Sequence, residues 1–208
     1  MPRSNLQTSE RTKETEVFRT SISHPIRIAE LMVGTHSGAV GVTFAPGKFQ
    51  ESAMTGAWSR DIDMDLAAIR AWGADYLITL IEPWEFEELR ITSLPERATA
   101  HGLVWHGLPI TDGAAPDERL LGQWKVLGPL LSRELLAGRK VVVHCKGGLG
   151  RAGTVASMLL LDTGAALSGD DAIQMVRHAR PRAIETEAQE IFIRGWLAQN
   201  TPISSIKE

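Results

Sequence analysis

Three consecutive valines, followed by a histidine, the chain's one cysteine and a glycine-rich loop, limit most strongly how this sequence can fold. The segment VVVHCKGGLGRAGT occupies residues 141–154. A run of β-branched apolar residues predicts a strand that is buried on both faces, and such strands occur in parallel sheets covered by helices. The glycines predict a tight turn, and the residues from Arg151 onward predict a helix. We therefore expect the strand–turn–helix unit of an α/β fold.

The rest of the chain alternates between short apolar runs and helical patterns. The runs at 26–34 and 39–47 predict two strands of a hairpin or a meander, and those at 75–81 and 103–110 predict further strands. Helices are predicted around residues 62–74, 85–90, 95–102, 116–138, 151–164, 168–180 and 186–199. This alternation predicts an α/β three-layer domain in which helices flank a central, largely parallel sheet.

Length and composition predict one globular domain with short extensions. The chain has 208 residues, of which 43% are hydrophobic, and this is enough to bury a substantial core. We expect a polar N-terminal arm over 1–20, the domain over 21–200 and a tail over 201–208. The net charge of −3 gives no general attraction to nucleic acid or to an anionic membrane. Because no apolar run reaches the roughly 18 residues of a membrane span, we expect a soluble, cytoplasmic protein. We also expect a monomer.

A lone cysteine limits the chemistry that the chain can perform. Cys145 cannot form an internal disulfide or the multi-cysteine part of a zinc site. The histidines show no metal-ligand spacing, so we expect neither a metal nor a cofactor. The thiol is therefore either a small buried hydrophobic group or a reactive nucleophile.

The sequence around the cysteine favours the reactive alternative. A loop that turns through glycines into a helix N-terminus directs backbone N–H groups at one point, which creates an anion site that also stabilises a thiolate. Arg151, six positions after Cys145, supplies a planar fork that matches two phosphate oxygens. His144 is expected to hydrogen-bond the loop backbone. The predicted phosphate-binding residues are Lys146, Gly147, Gly148, Leu149, Gly150 and Arg151.

The segment HCKGGLGRAGT resembles the signature loop of cysteine-based protein phosphatases. Together with the upstream PITDGAAPD, the GGLGR sequence looks most like the kinase-associated phosphatase branch of the dual-specificity group. The resemblance extends over most of residues 20–200, although the loop is its specific part. It implies a reaction in two steps, in which Cys145 attacks phosphorus and water then hydrolyses the phosphocysteine.

The resemblance also implies an aspartic acid on a loop before the cysteine and a glutamine after it. Asp112 lies 33 residues before Cys145 and is the expected general acid, with Asp117 as the competing candidate. Taken alone, Asp112 is better explained as a turn former before Gly113, but its spacing from Cys145 favours the catalytic role. Gln189 matches a glutamine that positions water, but with Thr186 it also forms a capping box at a helix start.

The sequence departs from the family pattern directly after the arginine. The family has serine or threonine there, where the hydroxyl assists departure of the cysteine sulfur, but this chain has Ala152. Thr154 is two residues further on, which is about 200° around a helix. We therefore expect the phosphoenzyme to break down slowly relative to its formation.

Several substrate classes and functions remain open at this stage. Leu149 occupies a loop position where phosphoinositide phosphatases tend to have lysine, so a phosphorylated protein is the favoured substrate, either on tyrosine or on serine and threonine. One alternative is a phosphate-binding module without turnover, and another is a phosphatase of phosphoinositides or other small esters. Sulfur or arsenate transfer is a further possibility, but a reductase would usually need a second cysteine.

Overall fold

A computed structural model describes residues 18–53 and 56–197 of the chain. The described residues form a five-stranded sheet, a separate two-stranded hairpin and seven helices. The strands are β1 (Ala29–Val33), β2 (Gly38–Phe44), β3 (Phe49–Gln50), β4 (Trp58–Ser59), β5 (Tyr76–Thr79), β6 (Val104–Gly107) and β7 (Lys140–Cys145). The helices are α1 (Ile62–Ala71), α2 (Pro83–Glu88), α3 (Leu94–Ala100), α4 (Glu118–Leu136), α5 (Gly150–Asp162), α6 (Gly169–Ala179) and α7 (Glu187–Arg194).

The valine-rich segment forms the central strand of the larger sheet. The strand order is β1-β2-β7-β5-β6, and β7 pairs in parallel with both β2 and β5. β6 also runs parallel to β5, whereas β1 pairs antiparallel with β2. The predicted α/β class with a largely parallel sheet is therefore confirmed.

The sheet separates two apolar cores, which explains why β7 is apolar throughout. Val142 faces one core together with residues of α1 and α3, such as Leu66 and Leu94. Val141 and Val143 face the other core, to which α4, α5 and α6 contribute. Helix α5 is buried along its whole length behind β7. The end of β7, where the glycine-rich loop begins, therefore lies in a strand that is packed on both faces of the sheet.

Three details of the predicted elements need correction. Helix α4 begins at Glu118, because the Asp117 carboxylate accepts from the N–H of Arg119 and caps the helix, so Pro116 precedes the helix. Helix α7 ends at Arg194 with Gly195 as its C-cap, earlier than predicted, and residues 198–199 of that prediction lie outside the described residues. The β3–β4 hairpin was not predicted, since two-residue strands carry no periodic pattern.

The described end of the predicted N-terminal arm packs against this hairpin. The N–H of Arg19 donates to Ala57 O over 2.9 Å, and the N–H of Ser59 donates to Arg19 O over 3.1 Å. Phe18 stacks on Phe49 with ring centroids 5.6 Å apart. Residues 1–17 of the arm and the tail over 201–208 lie outside the described residues. Within 18–53 and 56–197, no helix combines the length and apolar character needed to cross a bilayer.

Candidate active site

Cys145 is the last residue of β7 and lies at the carboxyl end of the parallel strands, where α/β folds place ligands. It is 3% exposed and lines a cavity of about 680 Å³. Asp112, Lys146, Gly147 and Leu149 line the same cavity. The fold therefore brings the predicted nucleophile, part of its loop and the predicted acid to one depression.

Two glycines of the loop lie in close contact with their surroundings, and the backbone conformation makes glycine necessary at one of them. Gly148 has φ +68°, and a Cβ there would lie 2.4 Å from the backbone of Thr43. Gly150 has an ordinary φ, but a Cβ would lie 2.7 Å from a carboxylate oxygen of Glu185. Gly148 is therefore explained by its positive φ and by close backbone contact, whereas only close side-chain contacts account for Gly150.

Three carbonyl oxygens of the loop accept hydrogen bonds from basic side chains. Arg180 donates to Gly148 O over 3.1 Å and to Gly147 O over 3.2 Å, and the Lys48 ammonium donates to Lys146 O over 3.3 Å. The N–H groups of Gly147, Gly148 and Leu149 donate to no backbone or side-chain group of the described residues. Such a run of unshared amides at a helix start is an anion-binding nest.

Arg151 is 1% exposed and is held from behind by Glu85 of α2. Its Nη1 donates to Glu85 Oε2 over 2.5 Å and to Ile110 O over 3.2 Å, and its Nη2 donates to Glu85 Oε1 over 2.9 Å. Burial disfavours the cation, but the Glu85 hydrogen bonds and the nearby negative charges raise the pKa of Arg151 above its ordinary value. Its buried Nε has no hydrogen-bond partner among the described residues. Arg151 itself does not line the cavity, so this N–H is a buried, unused donor one residue into the helix that follows the cavity-lining loop.

Asp112 lies on the loop between β6 and α4 and forms an ion pair with Arg151. Asp112 Oδ1 is 3.0 Å from Arg151 Nη2, and the aspartate side chain is 69% exposed. The same loop is fastened at Gly113 O, which accepts from Thr186 Oγ1 over 2.9 Å, and at Ala114 O, which accepts from Gln189 Nε2 over 3.2 Å. The carboxyl group therefore reaches the cavity while its loop is anchored to the start of α7.

Gln189 is fully buried and forms the predicted capping box with Thr186. Its Oε1 accepts from the N–H of Glu185 over 2.9 Å, and its own N–H donates to Thr186 Oγ1 over 3.3 Å. With its Nε2 on Ala114 O, the side chain connects the Asp112 loop to the chain beside Gly150.

His144 precedes the cysteine and is fully buried in a chain of hydrogen bonds. Trp105 Nε1 donates to Thr79 Oγ1 over 2.8 Å, and that hydroxyl is 2.7 Å from His144 Nε2. The other ring nitrogen is 3.4 Å from Cys145 O, which can only accept. In a neutral ring Nδ1 then carries the proton and Nε2 accepts from Thr79. Burial lowers the pKa of His144 to about 4, so the ring is neutral near pH 7.

The position after the arginine is apolar and closely packed. Ala152 is fully buried in the first turn of α5. The hydroxyl of Thr154 donates to Gly150 O over 2.9 Å, one turn earlier in the same helix. Its single proton is therefore already used within the helix.

Three residues of the site were not predicted from the sequence. Glu85 is the third residue of a short helix and accepts from the N–H of Glu82 in a capping box, a local role that gives no indication of its contact with Arg151. Glu185 accepts from the N–H of Gly150 over 2.8 Å, although it lies 35 positions away. Lys48 reaches the loop from 98 positions away. These contacts depend on chain packing, which leaves no signal in local spacing.

Comparison with known proteins gives consistent matches. A protein-family model described as the DSP-PTPase phosphatase domain of the Swiss Army Knife proteins, PTP-SAK, matches residues 65–193. The chain is 30% identical over 196 residues to cyclin-dependent kinase inhibitor 3 of Sus scrofa, which covers 92% of this chain and 88% of the relative. The human protein of the same name is 29% identical over the same shares of the two chains.

Solved structures show the same fold. A crystal structure of kinase associated phosphatase, with its catalytic-site cysteine replaced by serine, matches with a TM-score of 0.69 and 26% identity, over 82% of this chain and 93% of that chain. The active form of Tk-PTP matches with a TM-score of 0.55 and 26% identity, over 74% and 87% of the two chains.

The fold and the site define a cysteine-based phosphatase domain of the dual-specificity type. Within that class, the chain belongs to the family of PTP-SAK DSP-PTPase phosphatase domains. The family predicted from the signature loop is therefore confirmed.

Proposed function

We propose that this domain hydrolyses phosphate monoesters on protein side chains, in the cytoplasm, through a phosphocysteine intermediate on Cys145. The observation that carries the proposal is the arrangement at the end of β7. The thiol lines the cavity, the amides of Gly147, Gly148 and Leu149 are unshared, and the buried Nε of Arg151 has no partner among the described residues. A nucleophile beside unused N–H donors and a cation is the combination of groups that phosphoryl transfer requires.

In the first step, the Cys145 sulfur attacks phosphorus and the bond from phosphorus to the ester oxygen breaks. The carboxyl group of Asp112 gives its proton to the leaving oxygen. The loop amides and Arg151 stabilise the charge on the non-bridging oxygens during transfer. The position of Asp112 supports this role, since its side chain lines the same cavity as Cys145.

In the second step, water attacks phosphorus, Asp112 accepts a proton from the water, and the bond between phosphorus and sulfur breaks. The products are inorganic phosphate and the Cys145 thiolate. Gln189 anchors the Asp112 loop in this scheme, because its buried amide is bonded to Ala114 O. Since Thr154 uses its proton on Gly150 O and Ala152 has none to offer, this step is expected to be slow.

The substrate proposal rests on the relatives. The names of two of them refer to a cyclin-dependent kinase inhibitor and a kinase associated phosphatase. We infer a phosphorylated protein as the substrate here. A phosphate-binding module without turnover would not need a carboxyl group at the position of Asp112, so hydrolysis is the better reading of the site.

Hydrolysis of para-nitrophenyl phosphate tests the proposal directly. Wild type should release nitrophenol well above the level of Cys145→Ser, and equal rates for the two would overturn the enzyme reading. Asp112→Ala should lower kcat/KM most for esters with poor leaving groups, because a good leaving group departs without a proton. Equal losses on aryl and alkyl phosphates would contradict the general-acid role.

A further inference from the structure

The lining of the cavity is strongly basic, although the chain as a whole is acidic. Six arginine or lysine side chains line the cavity, compared with two carboxylates, those of Asp112 and Glu185, while the net charge of the chain is −3. Such local concentration of one charge focuses the field in a concave site. The six cationic residues are Arg19, Arg27, Lys48, Lys146, Arg180 and Arg182.

The two carboxylates lie on the catalytic side and do not neutralise the six cations. Asp112 pairs with Arg151, and Glu185 accepts from the N–H of Gly150. Of the six cations, Lys146 pairs with Glu88 over 2.9 Å. The other five form no ion pair with the described residues.

Lys48 is the most buried of the six cations, which together are called the basic wall. It is 4% exposed, and its ammonium lies 5.2 Å from the ring centroid of Phe44 and 5.0 Å from that of Trp58. Burial lowers the pKa of Lys48 to about 8, while the charge of Cys145 acts in the opposite direction. Its single protein hydrogen bond, to Lys146 O, leaves two of three ammonium protons unused within the described residues. A buried cation without a carboxylate is costly, so its retention beside an active site indicates a role in binding an anion.

Arg27 and Arg182 line the cavity, but their side chains do not hold any of its other described residues in place. Neither guanidinium forms a hydrogen bond or an ion pair with the described residues. The backbone of Arg182 has φ +70°, and that of the nearby Ile184 has φ +61°. Non-glycine residues in this region carry strain, and such strain concentrates at functional sites. Arg177 holds this strained turn by donating to Ala183 O and Ile184 O.

We propose that Lys48, Arg27 and Arg182 form a second anion subsite, which binds a second phosphate group on the same substrate molecule. This inference rests on the proposed function, because the first phosphate must be bound beside Cys145. The chain would then prefer substrates with two phosphates over those with one. Two sources share this chemistry, a peptide with two phosphorylated residues and a soluble inositol bisphosphate.

Rates at substrate concentrations below KM test the subsite in two arms. One arm compares a peptide phosphorylated on two residues, separated by one residue, with its two singly phosphorylated forms. The other arm compares inositol 1,4-bisphosphate with inositol 1-phosphate. Wild type should prefer the doubly phosphorylated member of at least one arm by about tenfold in kcat/KM. Added salt should reduce this preference, since it depends on charge.

Variants of the basic wall connect the preference to these residues. Lys48→Met keeps the packing volume and should reduce the preference to about twofold or less. Arg27→Gln and Arg182→Asn are exposed substitutions that test the same subsite without disturbing the core. Lys125→Met removes one exposed lysine of α4 outside the cavity and should leave the preference unchanged. For each variant, the readout is the ratio of kcat/KM for the doubly phosphorylated substrate to kcat/KM for the singly phosphorylated one. A ratio is used because a charge next to Cys145 also affects the absolute rate.

The outcomes separate this inference from the proposed function. If wild type hydrolyses para-nitrophenyl phosphate but shows no preference in either arm, the subsite is wrong and the phosphatase remains. Retention of the preference in all three wall variants would also overturn the subsite. Calorimetric binding of the same ligands to Cys145→Ser tests the subsite even if wild type proves inactive. Tighter binding of the doubly phosphorylated ligand, lost in Cys145→Ser with Lys48→Met, would support it.

Discussion

Replacement of Glu85 by glutamine removes the charge that pairs with the buried Arg151, the proposed phosphate clamp, while keeping the shape of the side chain. Glu85 and Arg151 are each 1% exposed, and two hydrogen bonds of 2.5 and 2.9 Å join them. In Glu85→Gln one guanidinium N–H loses its acceptor and faces an amide N–H. The arginine cation remains buried, with Asp112 at 3.0 Å as its nearest remaining carboxylate.

The expected cost follows from this geometry. Loss of one partner of a buried ion pair destabilises proteins by about 3–5 kcal/mol. Because Asp112 and Ile110 O still contact the guanidinium, we expect the lower end, about 3 kcal/mol. For a chain of this length, that free energy corresponds to a decrease in Tm of about 6–12 °C. Displacement of the clamp should also lower kcat/KM by roughly 10- to 100-fold.

Thermal denaturation, followed by circular dichroism, measures the change, and Glu88→Gln is the matched control. Glu88 lies on the same helix and loses the same charge, but its ion pair with Lys146 is partly exposed. Such pairs contribute less than about 1 kcal/mol. If Glu85→Gln lowers Tm no more than Glu88→Gln does, the Glu85–Arg151 pair does not hold the site together and the reasoning fails.

Two further predictions concern turnover and pH. Ala152→Ser restores a hydroxyl next to the clamp and should raise steady-state kcat about tenfold while reducing the burst of nitrophenol seen in wild type; a wild-type time course without a burst would contradict the slow second step. Burial lowers the pKa of His144 from 6.5 to about 4, so an unfolded chain binds this proton at a higher pH than the folded chain does. Stability should therefore be lost as the pH falls from 6.5 towards 4, by about 3 kcal/mol from this residue. Urea unfolding of wild type and His144→Asn across this range measures the effect, and identical pH dependence in the two proteins would rule out this contribution.

The local parts of the fold could be predicted because their causes are local. Three valines before Cys145 indicate a strand buried on both faces, and β7 is the central strand of the sheet. Ser168 and Thr186 cap the helices whose starts they predicted. In contrast, the β3–β4 hairpin and the end of α7 at Arg194 depend on contacts and capping that periodicity does not encode.

The candidate site divides in the same way. Cys145 and Arg151 could be proposed from the sequence because a nucleophile, an anion-binding loop and an arginine that binds phosphate would follow one another along a single loop. Asp112 was recognised through its resemblance to a known pattern, and only the structure places its carboxylate 3.0 Å from the clamp.

Other parts of the site were decided by the tertiary structure alone. Glu85 meets Arg151 across 66 positions, and Lys48 meets the loop across 98. A net charge of −3 gave no indication that six basic side chains would line one cavity. The physical reason is that side-chain periodicity and turn chemistry act over a few residues, whereas charge pairing and cavity electrostatics depend on which distant segments pack together.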